Sequence, residues 1–484
     1  MSQPQLKKNI GLWSATSIVI GSVIGSSIFM KPATMAGQLG SPVLLIIVWA
    51  VAGIISIFGA MIYAELGTMF PETGGQYVYI QKMYGDFIAF LYGWSTMAVI
   101  NTAAIAMIAF VCADYAGYFF HLPHFDRVVE QSIKLHIPFV ADIYPLQNFG
   151  VKMMAVGILA GFTIINYISA RSGNAIQFVA TFLKILAIVL LIAGILVSGK
   201  GSAKNFVHNS AGFHLSGLAW LAAFMAATTG AFASYDGWSN VNMVAGEIRD
   251  PRKNLTKSLF IGLFTCILVY VLVNLAYLYV LPIDAMAKSS LVASDAVGKA
   301  LGIAGGSLIA LLIFISAFGA TNINLLTNAR IVFAMGQNRT FFAWAGKVHP
   351  RFRTPGNSVI VMGILSSLFV LSGSFDILAD MFTFMAWVFY GLTVIGIFIL
   401  RKRLPLADRP YRVRPYPLIP AIFILFTLFY IGMTLYSDIS NYYNGKSPII
   451  NSVLGLLLTL AGIPLYWYFK KDKINSEPLN DHRT

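Results

Sequence analysis

The sequence predicts an all-α integral membrane protein with twelve transmembrane helices, two of which are broken near the middle. Of its 484 residues, 57% are hydrophobic and only 11% are charged, whereas soluble domains carry about 25% charged residues. Apolar stretches of about 20 residues, enough to cross a bilayer, recur along the chain. Glycine and polar residues interrupt two of these stretches.

Twelve stretches are long and apolar enough to be spans. The first follows two lysines, but it is too long for the apolar part of a secretory signal and lacks a small-residue cleavage site. We predict spans at 12–37, 41–68, 85–120, 148–169, 174–198, 216–246, 258–282, 303–335, 357–372, 377–400, 417–437 and 449–469.

The basic residues predict the orientation of these spans. Most of the 33 lysines and arginines fall in alternate connections, including "RKRLPLADRPYRVR" after the tenth span. Because cytoplasmic loops are enriched in basic residues, we predict a multi-pass protein of the inner or plasma membrane with both termini in the cytoplasm. Attraction of these loops to anionic lipid accounts for the net charge of +14, so no nucleic-acid partner is expected.

Several function classes lack their sequence signatures. There is no phosphate-binding loop, zinc-ligand spacing or nucleophile elbow, and all seven histidines fall in loops or tails. Cys112 and Cys266 lie in apolar segments, which indicates no disulfide framework. We therefore expect no enzyme activity, no cofactor and no metal. A channel would show a polar stripe along several spans, and a receptor would carry a sizeable extra domain, so transport is favoured.

The first span is interrupted by "GSVIGSSIFMKP", residues 21–32. Lipid offers no hydrogen bonds, so an unwound backbone within a span must be buried in protein or line a cavity. The pattern Gly21-x-x-x-Gly25 is also typical of a helix-packing face. Taken alone, this stretch leaves both interpretations open.

The sixth span contains the second interruption, "TTGAFASYDGWSNVNMVAGE", residues 228–247. Its centre holds Gly230, Ser234, Asp236 and Gly237, and an aspartate at this depth costs about 2.5–3.5 kcal/mol on an insertion scale. Spans one and six are the first members of two successive sets of five. Paired interruptions at corresponding places of two halves indicate a transporter site at an inverted repeat.

The free helix ends at these breaks predict the kind of ligand. Ser26, Ser27 and Ile28 would present unpaired N–H groups at the positive end of a helix dipole, which suits an anion. Carbonyl groups left free near the breaks suit a cation, and they belong to Val23, Ile24, Phe232, Ala233 and Tyr235. A site that holds a carboxylate close to an ammonium fits an α-amino acid.

Five segments match motifs of one known family. "GSVIGSSIF" resembles its first-span motif and "YAELGTMFPETGGQYVY" the end of span two, while "FLKILAI", "YDGWSNVNMVAGEIRDPRKNL" and "NARIVFAMG" resemble parts of spans five, six and eight. The family is the amino acid–polyamine–organocation superfamily, specifically its L-type amino-acid transporter branch with its bacterial relatives. The resemblance covers nearly the whole chain.

This resemblance implies the LeuT-type fold, in which two inverted five-helix repeats precede helices eleven and twelve. The corresponding division is an N-terminal tail 1–10, a first repeat 11–200, a second repeat 201–403, helices eleven and twelve within 404–470, and a C-terminal tail 471–484. The resemblance also implies that Gly25, Ser26 and Ser27 hold the substrate carboxylate. Carbonyls around Ile24, Phe232, Ala233 and Tyr235 would hold its amino group, and the predicted binding set also includes Ser234, Asp236 and Gly237.

Lys184, within "FLKILAI", matches a lysine of many sodium-independent members. The resemblance implies that its ammonium occupies the place of sodium, bridges spans one, five and eight, and takes part in coupling. The alternative is that the side chain snorkels to the interface, because it lies about ten residues from the predicted cytoplasmic start of its span. A buried lysine can also titrate, so proton linkage stays open.

The chain departs from the family pattern at three places. Ser27 replaces the usual glycine, and Ala233 stands where many relatives have a gating aromatic residue, with Phe232 one position earlier. Asp236 occurs in members with cationic substrates and in members with neutral ones, so it either attracts a basic side chain or braces the unwound turn. The loop after span three lacks the cysteine that animal members use for heavy-subunit pairing, so no covalent partner is expected.

These observations predict a secondary transporter of L-amino acids that works by alternating access. Sodium-independent exchange of neutral amino acids is the first hypothesis, and proton-coupled uptake or exchange of cationic amino acids or polyamines is the second. Outside the breaks, Glu65 and Glu247 are interpreted as ion-pair or loop-anchoring residues at span ends. Lys31, just past the first break, receives no role.

Overall fold

A computed structural model of the chain describes residues 10–72, 74–168, 173–210, 216–337 and 339–476, with side chains described outside 173–182 and 471–476. The predicted N-terminal tail up to residue 9 and C-terminal tail from residue 477 lie outside these ranges. Helices dominate the described part, as the long apolar runs predict.

In the first half of the chain, the described residues form nine helices. They are α1 Leu12–Val23, α2 Lys31–Leu39, α3 Pro42–Met69, α4 Gln76–Tyr84, α5 Asp86–Ser95, α6 Asn101–Gly117, α7 Arg127–Glu130, α8 Phe149–Ile168 and α9 Gly173–Val197. A 3₁₀ turn, Ser27–Phe29, lies between α1 and α2, and a π-helical segment, Thr96–Ile100, joins α5 to α6. The strands β1 Leu135–Ile137 and β2 Ala141–Ile143 pair antiparallel, with His136 opposite Asp142.

In the second half, ten helices are found among the residues that the structure describes. They are α10 Gly217–Tyr235, α11 Pro251–Val280, α12 Ile283–Ala287, α13 Val292–Leu301, α14 Ile303–Gln337, α15 Gly356–Ser372, α16 Phe375–Arg403, α17 Leu418–Tyr443, α18 Asn451–Leu460 and α19 Gly462–Ser476. Two 3₁₀ segments, Ala203–Phe206 and Trp238–Glu247, precede and follow α10.

The membrane character of the fold is confirmed. Among the described residues, nine helical segments are long and apolar enough to cross a bilayer, and three shorter apolar segments, Leu12–Val23, Leu183–Val197 and Gly356–Ser372, coincide with predicted spans one, five and nine. The count of twelve stays a prediction, because α1 and α15, with 12 and 17 residues, are shorter than the ~20 residues that a span needs. Leu183–Val197 is the part of the 25-residue helix α9 whose side chains are described.

Two predicted span boundaries were wrong, and the predicted twelfth span, which matches the apolar segment Asn451–Lys470, contains a break. α11 begins at Pro251 rather than 258, with a proline in its first turn, where its missing N–H is not needed. α17 continues to Tyr443 rather than 437. The predicted twelfth span, 449–469, is two helices that meet at Ala461, because Pro464 cannot donate to the Leu460 carbonyl. Hydropathy locates apolar length, whereas backbone hydrogen bonding decides where a helix ends.

Contacts between connecting segments fall into two groups. On the side where α1 begins, here called the N-side, Ile10 pairs with Ile248, and Arg252 forms an ion pair with Asp408. On the opposite side, the far side, Gly40 accepts a backbone hydrogen bond from Ser210, and the β1–β2 hairpin bonds to the segment before α18. Successive long helices therefore run in alternating directions, as predicted.

Helix packing follows the predicted repeat. Each helix of the first five spans has a counterpart five spans later in the chain. When both helices of a packed pair are replaced by their counterparts, the resulting pair is also packed. Thus α1 packs on α11 as α10 packs on α3, and α9 packs on α14 as α16 packs on α6. The counterparts α3 and α11, α6 and α14, and α8 and α15 also pack together. Because five is an odd number of crossings, the two repeats have opposite orientations.

Candidate functional site

The first break separates α1 from α2 at the centre of the first span. The Ile24 N–H still donates to the Ile20 carbonyl, and regular bonding resumes only at the 3₁₀ turn Ser27–Phe29. A Cβ atom placed on Gly25 would meet only atoms of residues 23 and 27, at 3.7 and 4.0 Å. No side chain or backbone of a neighbouring helix crowds a Cβ at this position within the described structure, so Gly25 does not serve as a helix-packing glycine.

Hydrogen-bond donors are left over at this break. The backbone N–H groups of Ser26, Ser27 and Ile28 have no acceptor among the described residues. The Ser26 Oγ atom is buried and likewise has no partner there. Since buried polar groups are nearly always paired, these donors mark a place where a ligand with acceptor atoms can bind.

The second break lies between α10 and the 3₁₀ segment Trp238–Glu247. Gly237 has φ = 99°, a left-handed conformation that glycine adopts without strain. The Phe232 carbonyl accepts a bond from the Asp236 N–H at 2.9 Å. The carbonyls of Ala233 and Tyr235 accept none within the described part of the chain, so they remain available to a cation.

The two breaks face each other. A Cβ on Gly237 would lie 2.7 Å from the Ser22 carbonyl oxygen, so only glycine permits this approach. Tyr270 of α11 joins the breaks, because its Oη lies 2.7 Å from the Val23 carbonyl and 2.9 Å from the Ser234 carbonyl. Its single proton is shared between two helix ends. The Ser234 hydroxyl itself donates to the Gly230 carbonyl within α10.

Asp236 is held by the tenth span. The Tyr390 hydroxyl of α16 donates to Asp236 Oδ1 at 2.7 Å and lies 3.3 Å from Ser239 Oγ. The Tyr390 ring packs in turn against Trp238 and Tyr63. One carboxylate oxygen therefore braces the turn, while the second has no protein partner among the described residues.

The two aromatic residues of the predicted set extend into neighbouring helices. The Phe232 ring packs against Trp387 of α16, with ring centroids 3.9 Å apart, and against Phe426 and Tyr430 of α17. The Tyr235 ring contacts Trp49 and Tyr270. Both side chains are therefore packed among aromatic residues of neighbouring helices, and Tyr235 offers its carbonyl to a ligand.

Lys184 lies apart from these contacts. It is partly buried on α9, which packs on α14 and α11. Its ammonium has no hydrogen-bond or ion-pair partner in the part of the chain that is described. The bridge to spans one and eight therefore stays a prediction.

The interpretation of Glu65 as an anchor is confirmed. It is fully buried at the N-side end of α3 and binds Arg401 of α16 through both oxygens, at 2.9 and 2.6 Å. Arg409 lies 3.4 Å away, and the Val413 N–H donates to the same carboxylate. Glu247 contacts the segment before α1 through its backbone carbonyl, which accepts a hydrogen bond from the Ile10 N–H.

The breaks together present a bipolar site. Free N–H donors and a hydroxyl at the first break suit a carboxylate, and the carbonyl oxygens of Ala233 and Tyr235 at the second break, unpaired among the described residues, suit an ammonium. The Val23 and Phe232 carbonyls, predicted to be free, accept from the Tyr270 hydroxyl and the Asp236 N–H instead. The sequence identified the break residues but missed Tyr270 and Tyr390, which hold the breaks together. A tyrosine within an apolar span was the only signal, and it does not tell which way the hydroxyl points.

The chain is similar in sequence to a known family and to several of its characterised members. A sequence model of the amino acid permease family matches residues 10–459. The serine/threonine exchanger SteT of Bacillus subtilis (strain 168) is 30% identical over 97% of this chain and 98% of its own length. The human cystine/glutamate transporter is 31% identical over 96% of this chain and 86% of its own length. The human b(0,+)-type amino acid transporter 1 is 28% identical over 99% and 92%.

Proposed function

The chain belongs to the amino acid permease family, and we propose that it exchanges neutral L-amino acids across the plasma membrane by alternating access without sodium. One observation supports this most strongly. The buried Ser26 hydroxyl and the N–H groups beside it, which have no partner in the described structure, lie at a break that faces unpaired carbonyls of the second break. Relatives of the chain are amino-acid exchangers and transporters by name.

A counterflow measurement tests the proposal. The purified protein is reconstituted into liposomes without sodium, and uptake of radiolabelled leucine is compared between empty vesicles and vesicles preloaded with unlabelled neutral amino acids. We expect uptake to rise sharply with preloading. Equal uptake into empty and preloaded vesicles would contradict exchange.

A second candidate is proton-coupled uptake or exchange of cationic amino acids or polyamines. It rests on the second oxygen of Asp236, which no described residue binds. An Asp236→Asn variant distinguishes the two candidates, because the amide keeps an acceptor for Tyr390 but loses the charge. If Asp236 only braces the turn, leucine exchange stays within about threefold of wild type, below the tenfold that 1.4 kcal/mol represents. If the carboxylate binds a basic side chain, lysine or arginine uptake driven by a proton gradient is present and is lost in the variant.

We further propose that Lys184 takes the place of a sodium ion. A fixed ammonium supplies the positive charge that a cation would otherwise bring, which agrees with transport in the absence of sodium. The Lys184→Ala variant should lose exchange when sodium is absent. The control Lys152→Ala removes a lysine of α8 and should keep exchange in the absence of sodium. Unchanged exchange by the Lys184 variant would show that the side chain is a snorkelling residue.

Both termini are proposed to lie in the cytoplasm, so that the far side faces outward. The N-side connections carry most of the basic residues, including Arg401 and Arg409, as the bias of cytoplasmic loops requires. A covalent heavy subunit forms no part of the proposal, since both Cys112 and Cys266 are buried in the bundle.

A further inference from the structure

On the N-side, the ends of the eighth and twelfth spans meet in a cluster of aromatic residues. Phe469 of α19 packs against Phe341 and Phe342, which follow α14, with ring centroids 6.1 and 5.2 Å apart. One turn earlier in α19, Tyr466 packs against Phe87 at the start of α5, with ring centroids 5.0 Å apart. Ring contacts therefore join the N-side ends of three spans.

The outward side of this cluster is exposed. Trp467 and Tyr468 of α19 are 58% and 60% exposed, and Phe342 and Trp344 are 42% and 45% exposed. These four residues are called the aromatic rim here. Tryptophan and tyrosine at the ends of membrane spans lie at the level of the lipid headgroups, so the aromatic rim faces the boundary between bilayer and water.

Two lysines accompany the aromatic rim. Lys470 Nζ lies 5.3 Å from the centroid of the Trp467 ring, close enough for a cation–π contact. Lys347 is exposed three residues after Trp344, and its backbone N–H donates to the Trp344 carbonyl at 3.3 Å. Neither ammonium forms an ion pair with a described residue. Each of the two charges therefore remains available to a ligand.

Little negative charge surrounds these lysines. The sequence contains no acidic residue in 339–355 or 462–470, the segments that carry the aromatic rim and both lysines. Asp86, next to Phe87, accepts a hydrogen bond from the Gln81 amide. The surface is thus an exposed aromatic patch with a net positive charge, which suits a ligand that has both an anionic group and apolar chains.

We propose that the aromatic rim, Lys347 and Lys470 bind the headgroup of an anionic phospholipid in the N-side leaflet. The lysines pair with the phosphate, while the rings of the rim pack against the glycerol backbone and the first methylene groups of the acyl chains. Basic loops attract anionic lipids in general, but here the unpaired charges and the exposed rings belong to segments in direct contact. Binding is therefore expected at this one surface, and it does not depend on the transported substrate.

The thermal stability of the purified chain tests the lipid site. The protein is held in a neutral detergent, and its melting temperature is measured while dioctanoyl phosphatidylglycerol or dioctanoyl phosphatidylcholine is added. A ligand that binds the folded state raises the melting temperature with increasing concentration. We expect phosphatidylglycerol to raise it at concentrations at which phosphatidylcholine has little effect. Inorganic phosphate should have no effect, since it lacks the acyl chains that the aromatic rim contacts.

Three variants locate the site. Lys347→Gln combined with Lys470→Gln removes both ammonium groups and should weaken the apparent binding of phosphatidylglycerol about tenfold or more. Trp467→Ala keeps the charge and should weaken binding several-fold, because the ring beside Lys470 is lost. Lys253→Gln combined with Lys257→Gln is the matched control, since both lysines are exposed near the start of α11 on the same side and the change in charge is equal. The control should bind phosphatidylglycerol like the wild type.

The outcomes separate a defined lipid site from general attraction. Equal weakening in the two double variants would show that phosphatidylglycerol binds to basic loops at large and would overturn the proposal. An equal rise of the melting temperature with phosphatidylcholine or with inorganic phosphate would overturn an anionic lipid as the ligand. The measurement uses no amino acid, so a lipid effect confined to the surface around Lys347 and Lys470 would support the proposal even in a chain that shows no exchange.

Discussion

At the scale of single residues, the site depends on polar atoms that the protein leaves unpaired. Ser26 Oγ is buried without a partner in the described structure. In a folded protein such an atom is unfavourable by about 1–3 kcal/mol, and a ligand carboxylate would remove that penalty. The serine is therefore expected to matter for binding and to matter little for stability.

The Ser26→Ala variant tests this expectation. A hydrogen bond to a charged group contributes about 1.5–3 kcal/mol, so the KM for the exchanged amino acid should rise about tenfold or more. The melting temperature without ligand should be equal to or above that of the wild type, because the variant lacks the unpaired buried hydroxyl. Ser366→Ala is the matched control, since Ser366 Oγ in α15 is also buried and unpartnered. An equal change of KM in both variants would contradict a role for the Ser26 hydroxyl.

Tyr270 is expected to act as a positioning residue. Removing its hydroxyl leaves the Val23 and Ser234 carbonyls without their shared donor. Leaving a buried carbonyl unpaired destabilises this arrangement by about 1–3 kcal/mol. We expect Tyr270→Phe to lower kcat/KM about tenfold to a hundredfold. Tyr277→Phe removes a buried, unpartnered hydroxyl of the same helix and should leave exchange kinetics unchanged. A Tyr270→Phe chain with wild-type kinetics would show that the hydroxyl does not hold the breaks.

The sequence predicted one class of residue and missed another. Gly237 and Asp236 were identifiable because a charge is unusual within an apolar span and because glycine-rich interruptions occur at corresponding places of the two halves. Tyr270 and Tyr390 were not, because their roles arise from contacts between residues far apart in the chain. Periodicity and composition carry no information on those distances.

At the scale of helices, the two breaks meet in a close approach that tolerates no side chain at Gly237. Gly237→Ala would place a Cβ 2.7 Å from the Ser22 carbonyl and force alanine into the left-handed region, at about 1–2 kcal/mol. We expect loss of exchange and a lower melting temperature. Gly432→Ala is the control, because the added methyl meets nothing within 4 Å in α17. Normal exchange by the Gly237→Ala chain would contradict the contact between the breaks.

The N-side end of the bundle is held by the buried carboxylate of Glu65. Glu65→Gln leaves Arg401 and Arg409 without their counter-ion, and breaking a buried pair destabilises by about 3–5 kcal/mol. The melting temperature should fall clearly. Arg252→Gln breaks an exposed pair on the same side, where about 0–1 kcal/mol is expected. Equal melting temperatures for the two variants would show that the Glu65 cluster is not a structural anchor.

Sequence patterns predicted where most helices run but not all of their ends. Apolar length placed α3, α8 and α15 within one residue of their bounds. It failed at Pro251 and at Pro464, because hydropathy does not register the loss of a backbone donor. The β1–β2 hairpin and the short helices α12 and α13 lie in polar connections, where no apolar period indicates their structure.

At the scale of the whole molecule, the two repeats bring the breaks together and pack each of them against a different span. The packing of α1 on α11 and of α10 on α3 places both unwound segments against the seventh and second spans. α2 is fixed to α16 by Lys31, whose Nζ lies 2.7 Å from Asp376 Oδ1 and 3.0 Å from Asp380 Oδ1, and the N-side is fixed by the Glu65 cluster. A substrate held at the breaks therefore lies between two sets of charged contacts, one toward each side of the membrane.

The central claim is that the exchanged amino acid binds at the facing breaks, and protection of Ser27→Cys tests it most directly. The cysteine is introduced into a chain whose Cys112 and Cys266 are replaced by alanine, and its labelling by a methanethiosulfonate reagent is measured with and without each neutral amino acid that the protein exchanges. We expect those amino acids to slow labelling several-fold, because the bound carboxylate covers the first break. An amino acid that is exchanged at saturating concentration but does not slow labelling would place the binding site elsewhere.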